Sequence, residues 1–262
     1  MIEVSGLFIY PIKSLQGIEV HEAKVLQRGF ECDRRWMIID IENKLVTQRT
    51  HPQLFQIQTS INEKVIRLEH PTKGSIEVPI SIESGDRSPA IVWNDTVDAL
   101  LAEKPINEWF SQVVGMDCRL VFMPKDGSRP VKPVKARNGE HVSFADGYPY
   151  LVIGEASLED LNSRMEKDLP MNRFRPNIVV KGTSAYEEDS WVDFNIGDVP
   201  FYQAGKCKRC VFTTIDQQTG EKGVEPLKTL ASYRREGSDV VFGLNSIAAQ
   251  EGVIRVGDAL TF

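Results

Sequence analysis

Lys206-Cys207-Lys208-Arg209-Cys210-Val211-Phe212-Thr213-Thr214-Ile215-Asp216 is the stretch on which the reading of this chain turns. Two cysteines stand three positions apart among three cations, and the apolar, threonine-rich run that follows reads as a strand. Neighbouring positive charge stabilises a thiolate, so a cysteine here is expected to have a lowered pKa and the character of a nucleophile or a metal ligand. A structural zinc site needs four ligands. The other cysteines, Cys32 and Cys118, stand alone, and His21, His51, His70 and His141 are scattered without ligand spacing. A redox C-x-x-C pair should open a helix after a strand, whereas Val211 to Thr214 is β-prone. A single activated thiolate at Cys210, ringed by Lys206, Lys208 and Arg209, accounts better for the stretch. A plain exposed pair of thiols is the alternative.

The chain around it has 262 residues and a net charge of −6, which argues against nucleic-acid binding through bulk charge. No run reaches the roughly 18 apolar residues that span a bilayer. Met1-Ile2-Glu3-Val4 has neither the basic nor the apolar region of a signal peptide. No membrane association is expected. Four cysteines at this length are too few for a disulfide scaffold, and a reducing cytoplasm is the expected compartment.

Upstream, Ile2 to Tyr10 alternates as a strand does, and Pro11 stops it before Lys13 and Ser14. Lys13 by itself reads as a solvated lysine. Asp33 to Ile41, the turn Glu42-Asn43-Lys44 and Leu45 to Arg49 read as a hairpin that sets Arg34 and Arg49 at one end of two strands. Two such arginines can bind an anion in fixed geometry, or each can pair with a surface carboxylate. A second hairpin is expected at 65–68 and 76–78. Ile106, Trp109, Phe110, Val113 and Val114 then fall at helical spacing behind Pro105, and 118–122 reads as a strand with Cys118 as a buried small hydrophobe. Residues 124–140, rich in proline and cations, read as a loop and a boundary, either solvated or a docking face for an acidic partner. The expected domains are 1–123 and 124–262.

In the second half, Gly147 and Pro149 mark a turn before a strand from Leu151, and Ser157 reads as the cap of a helix. Arg175 and Asn177 flank the rigid Pro176 at the mouth of another strand, and Ile196-Gly197-Asp198 is a tight turn. Glu225-Pro226 opens a short helix that Gly237 could cap, and a last β run closes the chain from Val253 to Phe262. The expected fold is mainly β (α+β), with two β-barrel-like domains and a few short helices.

Lys206 to Gly220, taken with Glu225-Pro226-Leu227-Lys228-Thr229-Leu230, Phe174-Arg175-Pro176-Asn177, Ser190-Trp191 and Ile196-Gly197-Asp198, resembles the molybdenum cofactor sulfurase C-terminal (MOSC) domain. Tyr10-Pro11-Ile12-Lys13-Ser14 and Asp33-Arg34-Arg35-Trp36 resemble the β-barrel domain that precedes it. The whole pattern is similar to that of the mitochondrial amidoxime-reducing component and of the bacterial reductase of N-hydroxylated bases. The resemblance implies a molybdenum cofactor (Mo-molybdopterin) whose metal is held by Cys210, with Cys207 the less constrained neighbour. It implies cofactor contacts from Lys13, Ser14, Arg34, Arg175, Asn177, Lys208 and Arg209, and from Gly147 and Tyr148 in their loop, with Arg49 and Asn245 as further additions. Cations at loop mouths of an acidic chain suit an anionic cofactor, and a thiolate suits a soft metal.

The implied activity is reduction of a small N-hydroxylated or amidoxime-type substrate, in which N–OH, two electrons and two protons give N–H and water. Neither the iron–sulfur domain nor the membrane anchor of such relatives is read in the sequence. Electrons are therefore expected from a separate soluble protein of ferredoxin or flavoprotein type. Asp146 and Asp216 are candidate proton donors. The alternative is a protein that binds the cofactor, or carries persulfide sulfur on Cys210, without reducing a substrate.

Overall fold

The computed structural model describes residues 1–262. Seven strands close into a barrel. Around it run Tyr150–Gly154, Ile178–Lys181, Ile2–Ile9, Ala259–Thr261, Asp193–Ile196, Val199–Lys208 and Asp239–Ala248, the last pairing back onto the first. Closure leaves these strands no free edge. Tyr150–Gly154 and Ile178–Lys181 run parallel, so the link between them must cross over, and it carries helix α2 (Glu155–Ser163). The first strand of the chain sits between two strands of the last half, Leu7 facing Ile178 and Ile2 facing Leu260. Its Val4, Leu7 and Ile9, brought to one face by a bulge between Val4 and Gly6, join Tyr150, Phe201 and Leu244 in one buried core.

The second body is a half-barrel. Trp36–Asp40, Cys118–Phe122, Asp95–Leu101 and Arg87–Val92 form an antiparallel sheet, and Gln58–Ile61, Val65–His70 and Gly74–Pro79 form a meander. Helix α1 (Lys104–Val114) packs between them, with Pro105 in its first turn and Gly115 ending it in the left-handed region at φ 82°. It buries Ile106, Trp109, Phe110, Val113 and Val114, the residues its spacing predicts. The mainly-β expectation holds, with three α-helices.

Local readings fail where side chains out-compete the ladder. Val211–Thr214 is a 3₁₀ turn, not a strand. The Thr213 amide and hydroxyl both donate to the Cys210 carbonyl, at 3.1 and 3.0 Å, and the Thr214 hydroxyl donates to the Val211 carbonyl at 2.8 Å. Local hydroxyl bonds of this kind offer the backbone an alternative to a sheet. Leu45 makes only a single bridge to Ile39, and the Thr47 side chain, accepting from the Arg49 amide, turns the chain before a return strand forms. Ser157 lies inside α2 and donates to Glu188, so it caps nothing. Gly237, φ 61°, is the turn between Arg235–Glu236 and Asp239–Ala248 rather than a helix cap.

Residues 124–140 hold no regular element, yet Arg129 and Val131 are buried. The Arg129 guanidinium donates to the carbonyls of Ser143, Ala145 and Asp146 and pairs with Asp95 at 2.7 Å. One arginine thereby braces the loop that enters the site.

Candidate functional site

Every residue expected to hold the cofactor or its metal lines one cavity of about 680 Å³ at the meeting of the two bodies, as does Asp146, whereas Asp216 lies outside its lining. Ten lysines and arginines face it against three carboxylates, Asp146, Glu236 and Asp239. In a chain of net charge −6 this concentration marks an anion site.

The inner wall is built from loops. After the strand Ile2–Ile9, the Tyr10 amide donates to Asp33 at 2.8 Å and the Arg34 amide to the Tyr10 carbonyl at 2.7 Å, which ties 10–14 to 33–36. Arg34 donates to Asp33 at 2.7 Å, to Asn177 at 3.0 Å and to the Arg175 carbonyl at 3.3 Å. Arg175 donates to the Leu15 carbonyl at 2.6 Å. Both guanidiniums lie over the Tyr10 ring, 4.3 and 4.1 Å from its centroid. Ser14, Arg34 and Arg175 all have left-handed backbones, φ 70°, 47° and 56°, a costly choice for non-glycine residues that concentrates at functional sites. Burial lowers the Arg175 pKa to about 10, so it stays charged at neutral pH. The hairpin expected to set Arg34 beside Arg49 is absent, but both reach the cavity from separate turns.

Lys13 is 5% exposed, not solvated. Its ammonium donates to the Phe144 carbonyl and to Asp146, each at 2.6 Å. Burial, only partly offset by Asp146, brings its pKa down to about 8. Asp146 lies on the cavity wall with its side chain 67% exposed to the cavity's interior. Its enclosed position opposes ionisation, but Lys13, Arg49 and Arg34 override this and hold it well below the usual carboxylate range. Asp216 accepts from Arg173 at 2.9 Å and from the amides of Gln218 and Thr219. Neither aspartate is a proton donor at neutral pH.

The cysteine stretch forms the outer lip. Two register shifts bend the end of Val199–Lys208 against Asp239–Ala248. Gly205 (φ 104°) and Gly243 (φ 79°) take the conformations this needs, and a Cβ on Gly243 would stand 2.7 Å from Ile153. The bend leaves Cys210 free and exposed at the start of the 3₁₀ turn. Cys207 instead packs beside Phe174 and Phe242, and burial raises its pKa, the reverse of the sequence expectation. Lys206 and Lys208 do not ring the thiol: Lys206 pairs with Glu236 at 2.5 Å and Lys208 with Asp239 at 2.6 Å. Arg209 donates to the carbonyls of Phe242 and Phe174, and its Nη2 is buried without a partner. Asn245 donates to the Lys206 carbonyl at 3.4 Å. Gly147 and half-buried Tyr148 form the facing loop, and a Cβ on Gly147 would meet open space.

Sequence reasoning missed three site residues. Tyr10 carries the two arginines. Arg173, buried, donates to the Thr213 carbonyl at 3.0 Å and so fixes the turn after Cys210. Trp93 stacks on Arg49 at the rim.

The families described as "MOSC N-terminal beta barrel domain" and "MOSC domain" match residues 1–117 and 139–261. The chain is 36% identical to mitochondrial amidoxime-reducing component 1 of Mus musculus, over 97% of this chain and 80% of that protein. The chain belongs to the MOSC-domain family. This MOSC protein is also 34% identical to mitochondrial amidoxime reducing component 2 of Bos taurus, over 97% of its own length and 81% of the relative. It is 31% identical to the molybdenum cofactor sulfurase of Oryza sativa subsp. japonica, over 93% of its length but 32% of the sulfurase. No helix is long and apolar enough to cross a membrane.

Proposed function

We propose that this MOSC protein is a molybdenum-cofactor-dependent oxidoreductase that reduces N-hydroxylated bases and amidoxime-type compounds with electrons from an electron-transfer protein. The observation that carries the reading is a free, exposed thiol, Cys210, on the lip of a strongly cationic cavity of about 680 Å³. That volume lies within the usual range for cofactor pockets.

The residues fit the group. A soft thiolate ligand is present at Cys210. The buried Nη2 of Arg209 and Nε of Arg49 have no partner and can each receive an oxyanion or a ring acceptor. Arg34, Arg175 and Asn177 are already locked by other hydrogen bonds, so binding costs them little ordering. In the proposal Cys210 holds the metal, and Lys13, Ser14, Arg34, Arg49, Arg175 and Arg209 hold the anionic and polar parts of the cofactor. Asn177, Asn245, Gly147, Tyr148 and Lys208 border them. When bound, the cofactor supplies two-electron and oxygen-transfer chemistry, by which N–OH, two electrons and two protons become N–H and water.

The chain's own contribution includes a proton. Lys13 Nζ is buried against the cavity with its pKa brought down to about 8, near the working range of an acid at neutral pH. Asp146, which holds that ammonium, is placed to keep it oriented. The relatives are named amidoxime-reducing components, which supports an electron-transfer partner, and we assign that partner to the ferredoxin or flavoprotein type as part of the proposal.

Elemental analysis tests the reading. The full chain, expressed in a cofactor-competent host, is expected to carry near-stoichiometric molybdenum, and Cys210→Ala none. Molybdenum missing from both, while a known molybdoenzyme of the same cells is loaded, would sink it. A second reading, a persulfide carrier on Cys210, is favoured by the similarity to the rice sulfurase. It predicts an extra sulfur on Cys210 by mass spectrometry and no molybdenum.

A further inference from the structure

Trp93 and Asn94 form the two-residue turn between the strands Arg87–Val92 and Asp95–Leu101, whose ends Val92 and Asp95 face one another. Trp93 has a left-handed backbone, φ 57°. Hairpin turns of this kind favour glycine, asparagine or aspartate at such positions, because a Cβ there crowds the chain. A bulky indole is an unfavourable choice for the turn, and it is left 44% exposed. Neither hairpin stability nor burial explains it.

Its contacts do. The ring centroid lies 4.2 Å from the Arg49 guanidinium carbon and 5.8 Å from Lys13 Nζ, and the indole N–H donates to Asp146 at 3.3 Å. All three partners line the cavity. Arg49 makes no ion pair, and its Nε is buried without a hydrogen bond, so the stack on Trp93 is what orders its guanidinium. Lys13, Arg34, Arg173 and Arg175 are anchored to carbonyls or carboxylates, and Arg209 is anchored to two carbonyls with only its Nη2 left over, whereas the Arg49 guanidinium spends no hydrogen bond within the chain.

We infer that Trp93 is a positioning residue that holds the Arg49 guanidinium as a free grip for a phosphate-type oxyanion at the rim of the cavity. The strain of the turn is the cost of reaching across from the half-barrel to the Asp146 loop. The inference rests on the cavity taking an anion, and it survives if the molybdenum reading fails. The oxyanion can belong to a cofactor or to a substrate, and both present the same chemistry to Arg49.

Calorimetric titration with inorganic phosphate tests it, on the full chain made in a host that lacks the cofactor pathway. Trp93→Gly is expected to weaken phosphate binding by about fivefold while the melting temperature stays level or rises, because glycine relaxes the turn. A residue that serves only the fold would lose stability together with affinity. Arg49→Ala is expected to show the same loss, and the double variant no further loss, since Trp93 acts through Arg49. Trp93→Phe keeps the stack without the hydrogen bond and is expected to stay within about twofold of wild type.

Unchanged affinity in Trp93→Gly, additive losses in the double variant, or no saturable phosphate binding by wild type each overturn the inference. Repeating the titration on cofactor-loaded protein separates the two sources. Loss of the phosphate response assigns the grip to the cofactor, and its persistence assigns it to substrate.

Discussion

On the inner wall, Arg34 pairs with an Asp33 that is 2% exposed, and Lys13, itself 7% exposed at the side chain, pairs with Asp146. On the outer lip, Lys208 pairs with Asp239 across side chains 71% and 36% exposed. The contacts are alike, 2.6 to 2.7 Å between unlike charges. Their surroundings are not. Water and salt screen the lip, so its pairs contribute little. On the wall Lys13, Asp33 and Arg34 have lost most of their hydration, although Asp146 keeps a largely exposed side chain, and removing the partner of a buried charge strands it. Lys208, between the cysteines in sequence, is therefore weakly coupled, and the strongly coupled ion pair of Arg34 with Asp33 comes from residues far away in the chain.

The largest test of this contrast is Arg34→Ala. It leaves the Asp33 carboxylate buried with the Tyr10 amide and no cation, and it removes donors from Asn177 and the Arg175 carbonyl. A loss of about 3 kcal/mol in urea unfolding is expected. Arg34→Lys should recover only part of it, because an ammonium cannot span the same three acceptors in a planar fork. A cost below about 1 kcal/mol would make the wall no different from the lip.

Lys13 sharpens the contrast through pH. Its folded-state pKa, about 8, lies below the ordinary lysine value, chiefly because of burial. As pH rises through 8 the ammonium gives up its proton and the cavity loses a positive charge, so anion affinity should fall between pH 7 and 9. Sulfate is the suitable probe, since its own charge is constant over that range. Binding at pH 8 to 9 should also take up a proton, visible as a buffer-dependent enthalpy. Lys13→Gln is expected to remove both effects, and a step that survives in the variant would assign the titration elsewhere.

Much of the fold could be read before it was seen. Helix α1 follows from its apolar spacing and Pro105, and the hairpin of Val65–His70 with Gly74–Pro79 from its apolar runs and a turn signal, though not the third strand Gln58–Ile61 that extends it to a meander. Barrel closure could not be read, because it depends on Ile2–Ile9 pairing with strands more than 170 residues away. The turn at Val211–Thr214 defeated the β-propensity of its residues through two threonine hydroxyls. The site divides in the same way. Cys210 stands out from its local pattern. Arg34, Arg175 and Asn177 become one site only through the resemblance, since nothing in their spacing shows that they meet at Tyr10. Trp93 carried a signal that could have been used: a bulky aromatic in a two-residue turn is out of place unless something beyond the turn holds it.

Lys208→Ala carries the smallest expected effect and the most information about the lip. Its ammonium is exposed, and hydrogen bonding with the Asp239 carboxylate raises its pKa, so it is charged throughout the usual pH range with that charge largely answered by its partner. Removing it deletes one screened pair and leaves Asp239 free to solvate. The urea midpoint should stay within error, and sulfate affinity within about twofold of wild type at 0.15 M salt. Raising the salt to about 0.5 M should erase what remains of the Lys208 effect, while the Arg34→Ala loss persists because buried pairs are screened much less. A Lys208 effect as large as that of Arg34, and equally insensitive to salt, would mean that the lip closes over its ligand and becomes a buried wall itself.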